Sequence, residues 1–152
     1  MSAQKNTEPV NTFRVRIITP RETVYDGDAA RMELSTLDGI MEMLPRHEPI
    51  MAPLAIAPLV LAPPGQSESV RFSLLGGFLN WDGVEADILA DEAEVGPDIN
   101  IDRARQAWQR ARERLAEASR NASDGGVDVD RAKLAMLRSL ARLAAAGQQV
   151  SR

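Results

Sequence analysis

Residues 84–118 read VEADILADEAEVGPDINIDRARQAWQRARERLAEA, and the spacing of the apolar residues changes at Gly96-Pro97. Before this dipeptide, Val84, Ala86 and Ile88 alternate with polar residues, which is typical of a strand that buries one face. After it, apolar residues recur every three or four positions, which is typical of an amphipathic helix. These residues are Ile101, Ala104, Trp108, Ala111, Leu115 and Ala118. The chain therefore divides here into two units of different secondary structure.

On the N-terminal side, alternation of apolar and polar residues extends from Phe13 to about Ala90. Turn dipeptides of the Asp-Gly type separate the runs, and this pattern predicts an antiparallel β-sandwich over residues 12–96. Proline has no amide hydrogen for a strand ladder, so the stretch with Pro49, Pro53 and Pro58 is expected at an edge or at bulges. The other residues expected to be buried are Val15, Ile17, Ala30, Met32, Leu34, Val70, Phe72 and Leu74.

On the C-terminal side, two helices of about 20 residues are expected. Asp98 or Asn100 can cap the first helix, which should stop near Asn121. The second helix should begin after Asp128 and end near Gly147. Its apolar face is expected to consist of Ala132, Ala135, Met136, Leu140, Leu143 and Ala144.

The sequence thus predicts an α+β fold, an N-terminal antiparallel β-sandwich followed by a C-terminal antiparallel α-helical hairpin. The hairpin is expected over residues 97–148, with its turn at residues 123–126. Residues 1–11 are expected to be a flexible N-terminal tail, and residues 149–152 a short C-terminal tail.

Composition argues against a catalytic or metal-binding function. The chain has no cysteine, and His47 is its only histidine, which excludes thiolate and His-cluster metal sites. The glycine-rich phosphate-binding motifs and the serine elbow are also missing. We therefore expect no catalytic residues, no metal and no required cofactor.

Charge and hydropathy bear on partners and location. Residues 1–100 carry 7 Lys/Arg and 16 Asp/Glu, whereas residues 101–152 carry 11 and 6. The basic residues of the second region alternate with acidic ones, which indicates a solvated helical face rather than a nucleic-acid-binding surface. We expect no signal peptide and no membrane span, because the longest apolar run, residues 50–62, is broken by prolines and is shorter than about 20 residues.

Four charged residues of the hairpin form a candidate polyphosphate site. Arg138 and Arg142 are four residues apart and share one face of the second helix. In an antiparallel hairpin, Arg105 comes near Arg142, and Asp102 can accept hydrogen bonds from a base or a ribose. The alternative is that these arginines are surface charges paired with acidic residues, and the spacing alone favours that alternative.

The apolar faces of both helices are rich in alanine, which buries few methylene groups. A hairpin held by such contacts is a candidate for two states, docked on the sandwich and undocked, separated by about a few kcal/mol. The alternative is a hairpin that stays docked.

Several motifs occur in the order in which they occur in the epsilon subunits of bacterial F-type ATP synthases. The chain resembles this family over about residues 12–145. The motifs that carry the resemblance are Phe13–Pro20 with Val24-Tyr25-Asp26-Gly27, Thr36-Leu37-Asp38-Gly39, Leu44-Pro45-Arg46-His47-Glu48-Pro49, Gly76-Gly77-Phe78-Leu79, residues 89–94 and residues 128–132.

The resemblance implies a non-catalytic central-stalk (rotor) subunit that couples the catalytic head of a proton-translocating ATP synthase to the c-ring. It implies binding to the gamma subunit and the c-ring, contact of an extended hairpin with the alpha/beta head, and a peripheral location on the cytoplasmic face of the bacterial (inner) membrane. The c-ring-facing loop would include Glu42, Met43, Arg46 and His47.

In some members of the family the compact hairpin binds ATP through an I/L-D-x-x-R-A motif and arginines of the second helix, and the extended hairpin restrains ATP hydrolysis. The resemblance therefore implies Asp102, Arg105, Arg138 and Arg142 as ATP-binding residues, with ATP as a regulatory ligand. Gln106 stands where the motif has alanine. Two alternatives remain at this point, namely a free-standing ligand-binding β-sandwich with a helical-hairpin adaptor and a small jelly-roll enzyme.

Overall fold

The computed structural model describes residues 11–120 and 128–150. Strands come first and helices last, as the change of spacing at Gly96-Pro97 predicts. The described strands are, in chain order, β1 (Phe13–Ile18), β2 (Thr23–Ala29), β3 (Arg31–Thr36), β4 (Gly39–Met43), β5 (Ile50–Ala62), β6 (Val70–Trp81), β7 (Glu85–Ala90) and β8 (Ala93–Val95). The described α-helices are α1 (Ile101–Arg120) and α2 (Val129–Ala145), and a short 3-10 helix spans Gly96–Asp98. The predicted fold class, a β-sandwich followed by a helical hairpin, is confirmed.

The described strands pair in the order β2-β1-β7-β6-β5-β3-β4, with β8 added to β6. The pairs are antiparallel except for β1 with β7, which run parallel, so the antiparallel prediction is wrong for that pair. The long strand β6 pairs with β8 through Phe72–Leu74 and with β7 from Gly77 onward. Gly76 and Gly77 have positive φ angles at this change of partner. A side chain at Gly77 would collide with the backbone of β7.

The sandwich core follows the predicted alternation in most positions, but Ala30 and Val70 are only partly buried, and Ala29 is buried in place of Ala30. Phe13, Val15 and Ile17 are buried, and the ring of Phe13 packs edge-on against Trp81 with the centroids 5.1 Å apart. Val84 is an exception, because its side chain is 74% exposed at the turn before β7. The prediction that it continues the buried face is therefore wrong.

Strand β5 is interior, although it contains two prolines. It pairs with β6 along its whole length and with β3 on its other side, so the expected edge position is wrong. The expected bulge is present, because the β3–β5 register shifts between Glu33 and Thr36. The carbonyl of Pro53 accepts a hydrogen bond from the amide of Leu37 at 3.2 Å, just beyond β3. The missing donors are tolerated because the ladder on this side is already irregular.

Both helices begin at residues whose side chains cap them. The side chain of Asn100 accepts a hydrogen bond from the amide of Arg103 at 2.9 Å, and that of Asp128 accepts one from the amide of Arg131 at 2.9 Å. At the end of α2, Gly147 has a φ of 75° and its amide donates to the carbonyl of Ala144. The predicted starts of both helices and the end of the second are confirmed. Several predictions concern residues outside the described ranges. They are the stop of the first helix near Asn121, the turn at residues 123–126, the N-terminal tail over residues 1–10, and residues 151–152.

Helix α2 packs across the outer face of β5 and β6 as well as against α1. The outer face of β6 is therefore buried at Ser73 and Leu75, although the alternation predicts that Ser73 is exposed. Ala141 and Ala145 are buried, whereas Ala144 is exposed and was wrongly predicted to be buried. The predicted single apolar face is in fact two buried faces, because α2 has a neighbour on two sides.

Candidate functional site

The arginines predicted to bind a polyphosphate lie partly in one groove. Arg138 and Arg142 line a cavity of about 470 Å³ between the two helices and the end of the sandwich. Arg103 and Arg110 of α1 line the same cavity, and Glu94 and Asp98 form its acidic side. Because four arginines line one space, the groove is suited to an anion with several negative oxygens.

The other two predicted residues lie elsewhere. Asp102 and Arg105 are exposed in the first turns of α1 and do not line the groove. The guanidinium of Arg105 donates instead to the side-chain oxygen of Gln148 at 3.2 Å. The structure therefore brings Arg138 and Arg142 together with Arg103 and Arg110. The i, i+7 spacing of Arg103 and Arg110 places them on one face of α1 and was a signal for this arrangement in the sequence.

Arg142 already has two acidic partners. Its Nε donates to Glu94 at 2.6 Å, and its terminal NH2 group donates to Glu92 at 3.2 Å. The side chain of Arg142 is 27% exposed, that of Glu94 38% and that of Glu92 63%. An anion that binds Arg142 in the groove must therefore compete with a carboxylate of the sandwich.

The loop predicted to face the c-ring contains residues in very different surroundings. Met43 is 0% exposed and belongs to the sandwich core, so its side chain is not available to a partner and the prediction for it is wrong. It alternates with exposed Glu42, whose carboxylate pairs with Arg31 at 3.2 Å. The period of two in β4 turns Met43 inward and Glu42 outward.

Arg46 and His47 follow β4 in this loop. Arg46 is exposed and has a φ of 69°, a left-handed conformation that is uncommon for residues other than glycine. The carbonyl of His47 accepts a hydrogen bond of 2.7 Å from the indole nitrogen of Trp81. The ring nitrogen Nδ1 of His47 lies 2.7 Å from the carbonyl of Glu48. The loop is thus fixed to the core through its backbone at His47.

The sandwich also exposes apolar side chains that the sequence analysis missed. Leu37 and Ile40, which we name the apolar tip, flank the Asp38-Gly39 turn and are 71% and 78% exposed. The sequence contained a signal for this exposed apolar surface. Turn residues are usually polar, so leucine and isoleucine beside a tight turn are unusual.

A second apolar surface lies on the outside of the sheet. Pro53 of β5, Phe78 of β6 and Leu89 of β7 are direct neighbours across the three strands. We name these residues the apolar row. Phe78 is 53% exposed and Leu89 is 51% exposed, and nearby Met51 is 71% exposed. Large apolar side chains that are contiguous and exposed mark protein-interaction surfaces.

Within residues 11–120 and 128–150, no group of three or more carboxylate or imidazole side chains is arranged to hold a metal ion. Over the same residues, none of the helices combines the length and the apolar composition needed to cross a membrane.

The exposed apolar surfaces of the β-sandwich mark a protein that contacts other proteins. Residues 12–96 match the family described as ATP synthase, Delta/Epsilon chain, beta-sandwich domain. Residues 98–147 match ATP synthase, Delta/Epsilon chain, long alpha-helix domain. The chain belongs to the delta/epsilon chain family of ATP synthase.

Individual relatives are described more specifically as epsilon chains of ATP synthase. The chain is 37% identical over 115 residues to the ATP synthase epsilon chain of Alkalihalophilus pseudofirmus, covering 76% of this chain and 85% of the relative. It is 39% identical over 110 residues to the ATP synthase epsilon chain of Bacillus subtilis, covering 72% and 82%. The resemblance to the epsilon subunits is therefore confirmed, and with it the role of a subunit of the ATP synthase rotor.

The fold has a counterpart among solved structures. A chain of the mitochondrial ATP synthase of Euglena gracilis superposes with a TM-score of 0.74 and 21% sequence identity. The match covers 97% of this chain and 88% of that one. At this identity the match bears on the fold, a sandwich with a C-terminal helical pair.

Proposed function

We propose that the chain is a non-catalytic central-stalk subunit of a bacterial, proton-translocating ATP synthase, bound to the gamma subunit and the c-ring. The observation that carries the proposal is that the family match extends over both units of the chain in order, residues 12–96 and 98–147. The subunit has no chemistry of its own and lies on the cytoplasmic face of the membrane as a peripheral part of the enzyme.

The exposed apolar surfaces support two contacts with the rotor. The apolar tip projects at the end of the sandwich where β5 begins, since the amide of Leu37 bonds to the carbonyl of Pro53. We assign the tip, together with Glu42, Arg46 and His47 of the predicted ring-facing loop, to the c-ring. The apolar row lies on the side of the sandwich and is assigned to the gamma subunit, because an extended partner can cover three adjacent strands at once.

Co-purification from membranes tests this assembly. The full-length chain, used as bait, is expected to retain a gamma-like subunit and c subunits. In the variant Leu37→Asp with Ile40→Asp, the c subunits should be lost while the gamma-like subunit is retained, because two charges replace the exposed apolar side chains that are assigned to this contact. Leu134→Asp on α2 is a matched control, since Leu134 is 43% exposed and lies outside the sandwich. If the unaltered chain captures neither subunit, the alternative of a free-standing ligand-binding β-sandwich with a helical-hairpin adaptor would be favoured.

The hairpin is proposed to regulate ATP hydrolysis. It is docked in this structure, with α2 against β5 and β6. In the proposed mechanism it leaves the sandwich, extends along the gamma subunit and restrains hydrolysis by the alpha/beta head. Removing residues 100–152 is therefore expected to preserve assembly with the gamma subunit and to raise the ATPase rate of the complex. An unchanged rate would contradict the regulatory role and leave the rotor role standing.

ATP is proposed as a regulatory ligand of the docked hairpin. The four arginines of the groove support this proposal, and the resemblance adds Asp102 and Arg105. Calorimetry should detect weak ATP binding that is lost in Arg138→Ala and kept in Arg131→Ala, a control on the same helix outside the groove. Arg105→Ala and Arg110→Ala then distinguish the two arrangements, because only Arg110 lines the groove. No heat at millimolar ATP would contradict the proposal.

A further inference from the structure

The attachment of α2 to the sandwich is confined to its last turns. Ala141 and Ala145 are 3% and 4% exposed, whereas Leu134 and Leu137, on the same side of the helix one to two turns earlier, are 43% and 46% exposed. The part of this contact that Ala141 and Ala145 supply is made by methyl groups. Such a contact contributes little to the free energy of docking, because apolar stabilisation scales with the area removed from water.

A buried polar atom opposes docking. Ser73 is 0% exposed, and its Oγ has no hydrogen-bond partner among the described residues. It lies on the outer face of β6, which α2 covers. When α2 leaves, water can bond to this hydroxyl, so the cost of burying it falls on the docked state alone.

An ion-pair cluster acts in the opposite direction. Arg142, in the last turn of α2, reaches Glu94 of β8 at 2.6 Å and Glu92 at 3.2 Å. These carboxylates belong to the sandwich and lie 48 and 50 residues from Arg142 in the chain. Because Arg142 and Glu94 are both partly buried, water and salt screen their attraction less than that of a surface pair. Because Arg142 belongs to α2 and both carboxylates belong to the sandwich, these ion pairs exist only while the hairpin is docked.

We propose that Arg142, Glu94 and Glu92 form an ionic clasp that determines what fraction of the molecules has the hairpin docked. The clasp offsets the cost at Ser73 and holds α2 on the sandwich without a bound anion. Salt weakens it, so the docked fraction falls as the ionic strength rises. The inference does not depend on the regulation proposed above, because docking is measured on the isolated full-length chain.

The absence of cysteine allows docking to be measured with one introduced thiol. In the full-length Ser73→Cys chain, the thiol lies under α2 and reacts with a thiol reagent only when the hairpin is away. Adding Arg142→Gln or Glu94→Gln is expected to speed this reaction about tenfold. The two substitutions together should add little to either alone, because each already breaks the same pair.

Two controls sharpen the experiment. Arg138→Gln removes the same charge one turn earlier on the same groove, and Arg138 forms no ion pair with the described residues, so its effect should stay within about twofold. Val15→Cys places the thiol in the sandwich core, where its reaction reports unfolding of the sandwich, and this rate should not change with Arg142→Gln.

Four results would overturn the clasp. The first is an unchanged rate at Ser73→Cys after Arg142→Gln, and the second is an equal acceleration by Arg138→Gln. The third is an equal increase in the reaction rate of the thiol in Val15→Cys after Arg142→Gln, which would mean that Arg142 stabilises the sandwich itself. The exchange of charges in Arg142→Glu with Glu94→Arg should recover most of the slow reaction, and failure to recover any of it would equally contradict a direct pair.

Discussion

Gly96 lies against the backbone of Ala145 at the end of α2 and of Arg71 in β6, and replacing it with alanine should release the hairpin. A Cβ at this position would fall within 3.0 Å of the carbonyl oxygen of Ala145, which is closer than Cβ atoms come in real structures. It would also lie 3.3 Å from the carbonyl oxygen of Arg71. Both atoms belong to backbone, one in α2 and one in β6, so neither can rotate away as a side chain would.

The size of the effect follows from this geometry. Gly96 does not have a positive φ angle, so alanine is allowed at its backbone conformation and the strain is steric. Inserting a methyl group into a rigid contact costs about 1–3 kcal/mol. If the helix moves away to relieve the contact, that cost falls on the docked state, and the ratio of docked to undocked molecules should fall by about 5- to 150-fold.

The Ser73→Cys reporter measures this ratio, and the thiol should react faster by the same factor in Gly96→Ala. Gly27→Ala is the matched control, because its Cβ would meet the ring of Tyr25, a side chain that can move. In the assembled enzyme, Gly96→Ala is expected to lower ATP hydrolysis, since more hairpins are free to extend. An unchanged reaction rate in Gly96→Ala, with the protein folded by circular dichroism, would refute the steric reasoning.

Three further predictions concern other residues. Ser73→Ala should stabilise docking about 5- to 30-fold by removing an unpaired buried hydroxyl, and a thiol reporter at the neighbouring buried position, Leu75→Cys, should react more slowly by that factor. Trp81→Phe should lower the free energy of unfolding of the sandwich by about 1–3 kcal/mol, because the carbonyl of His47 loses its indole donor; urea unfolding measures it, and no loss would mean that water replaces the bond. Backbone amide hydrogens hold the pKa of Asp82 below its usual range, so its contribution to stability is present above the unfolded pKa of about 4 and is lost as the pH falls through the lower folded pKa. Asp82→Asn should therefore show a smaller fall in urea midpoint between about pH 5 and pH 2 than the unaltered chain, and equal falls would contradict this assignment.

Most of the fold could be predicted because it depends on local spacing. Alternation at Phe13, Val15 and Ile17 and the change of period at Gly96-Pro97 are visible within a few residues. The position of β5 could not be predicted in this way. The register shift that tolerates its prolines belongs to the pairing with β3, whose residues lie 18 to 31 positions earlier in the chain.

The candidate sites were less predictable, because they depend on contacts between the two units. The burial of Ser73 requires α2 to lie on β6, and the pairing of Arg142 with Glu94 joins residues 48 positions apart. Spacing on a single helix grouped Arg138 with Arg142 but could not show that Arg105 points toward Gln148. Met43 was assigned to a partner surface by its place in a motif, whereas the period of β4 buries it.

The parallel pairing of β1 with β7 has a consequence for how the molecule forms. Arg14–Ile18 must find Glu85–Leu89 across some 70 residues of chain, and closing so long a loop is slow because its entropy is lost before the pairing compensates for it. The sandwich therefore cannot close until β7 has been synthesised, and α2, which follows β7 in the chain, is made later than the strands that it covers. During synthesis the chain therefore passes through a stage in which all the strands of the docking surface have been made and α2 has not.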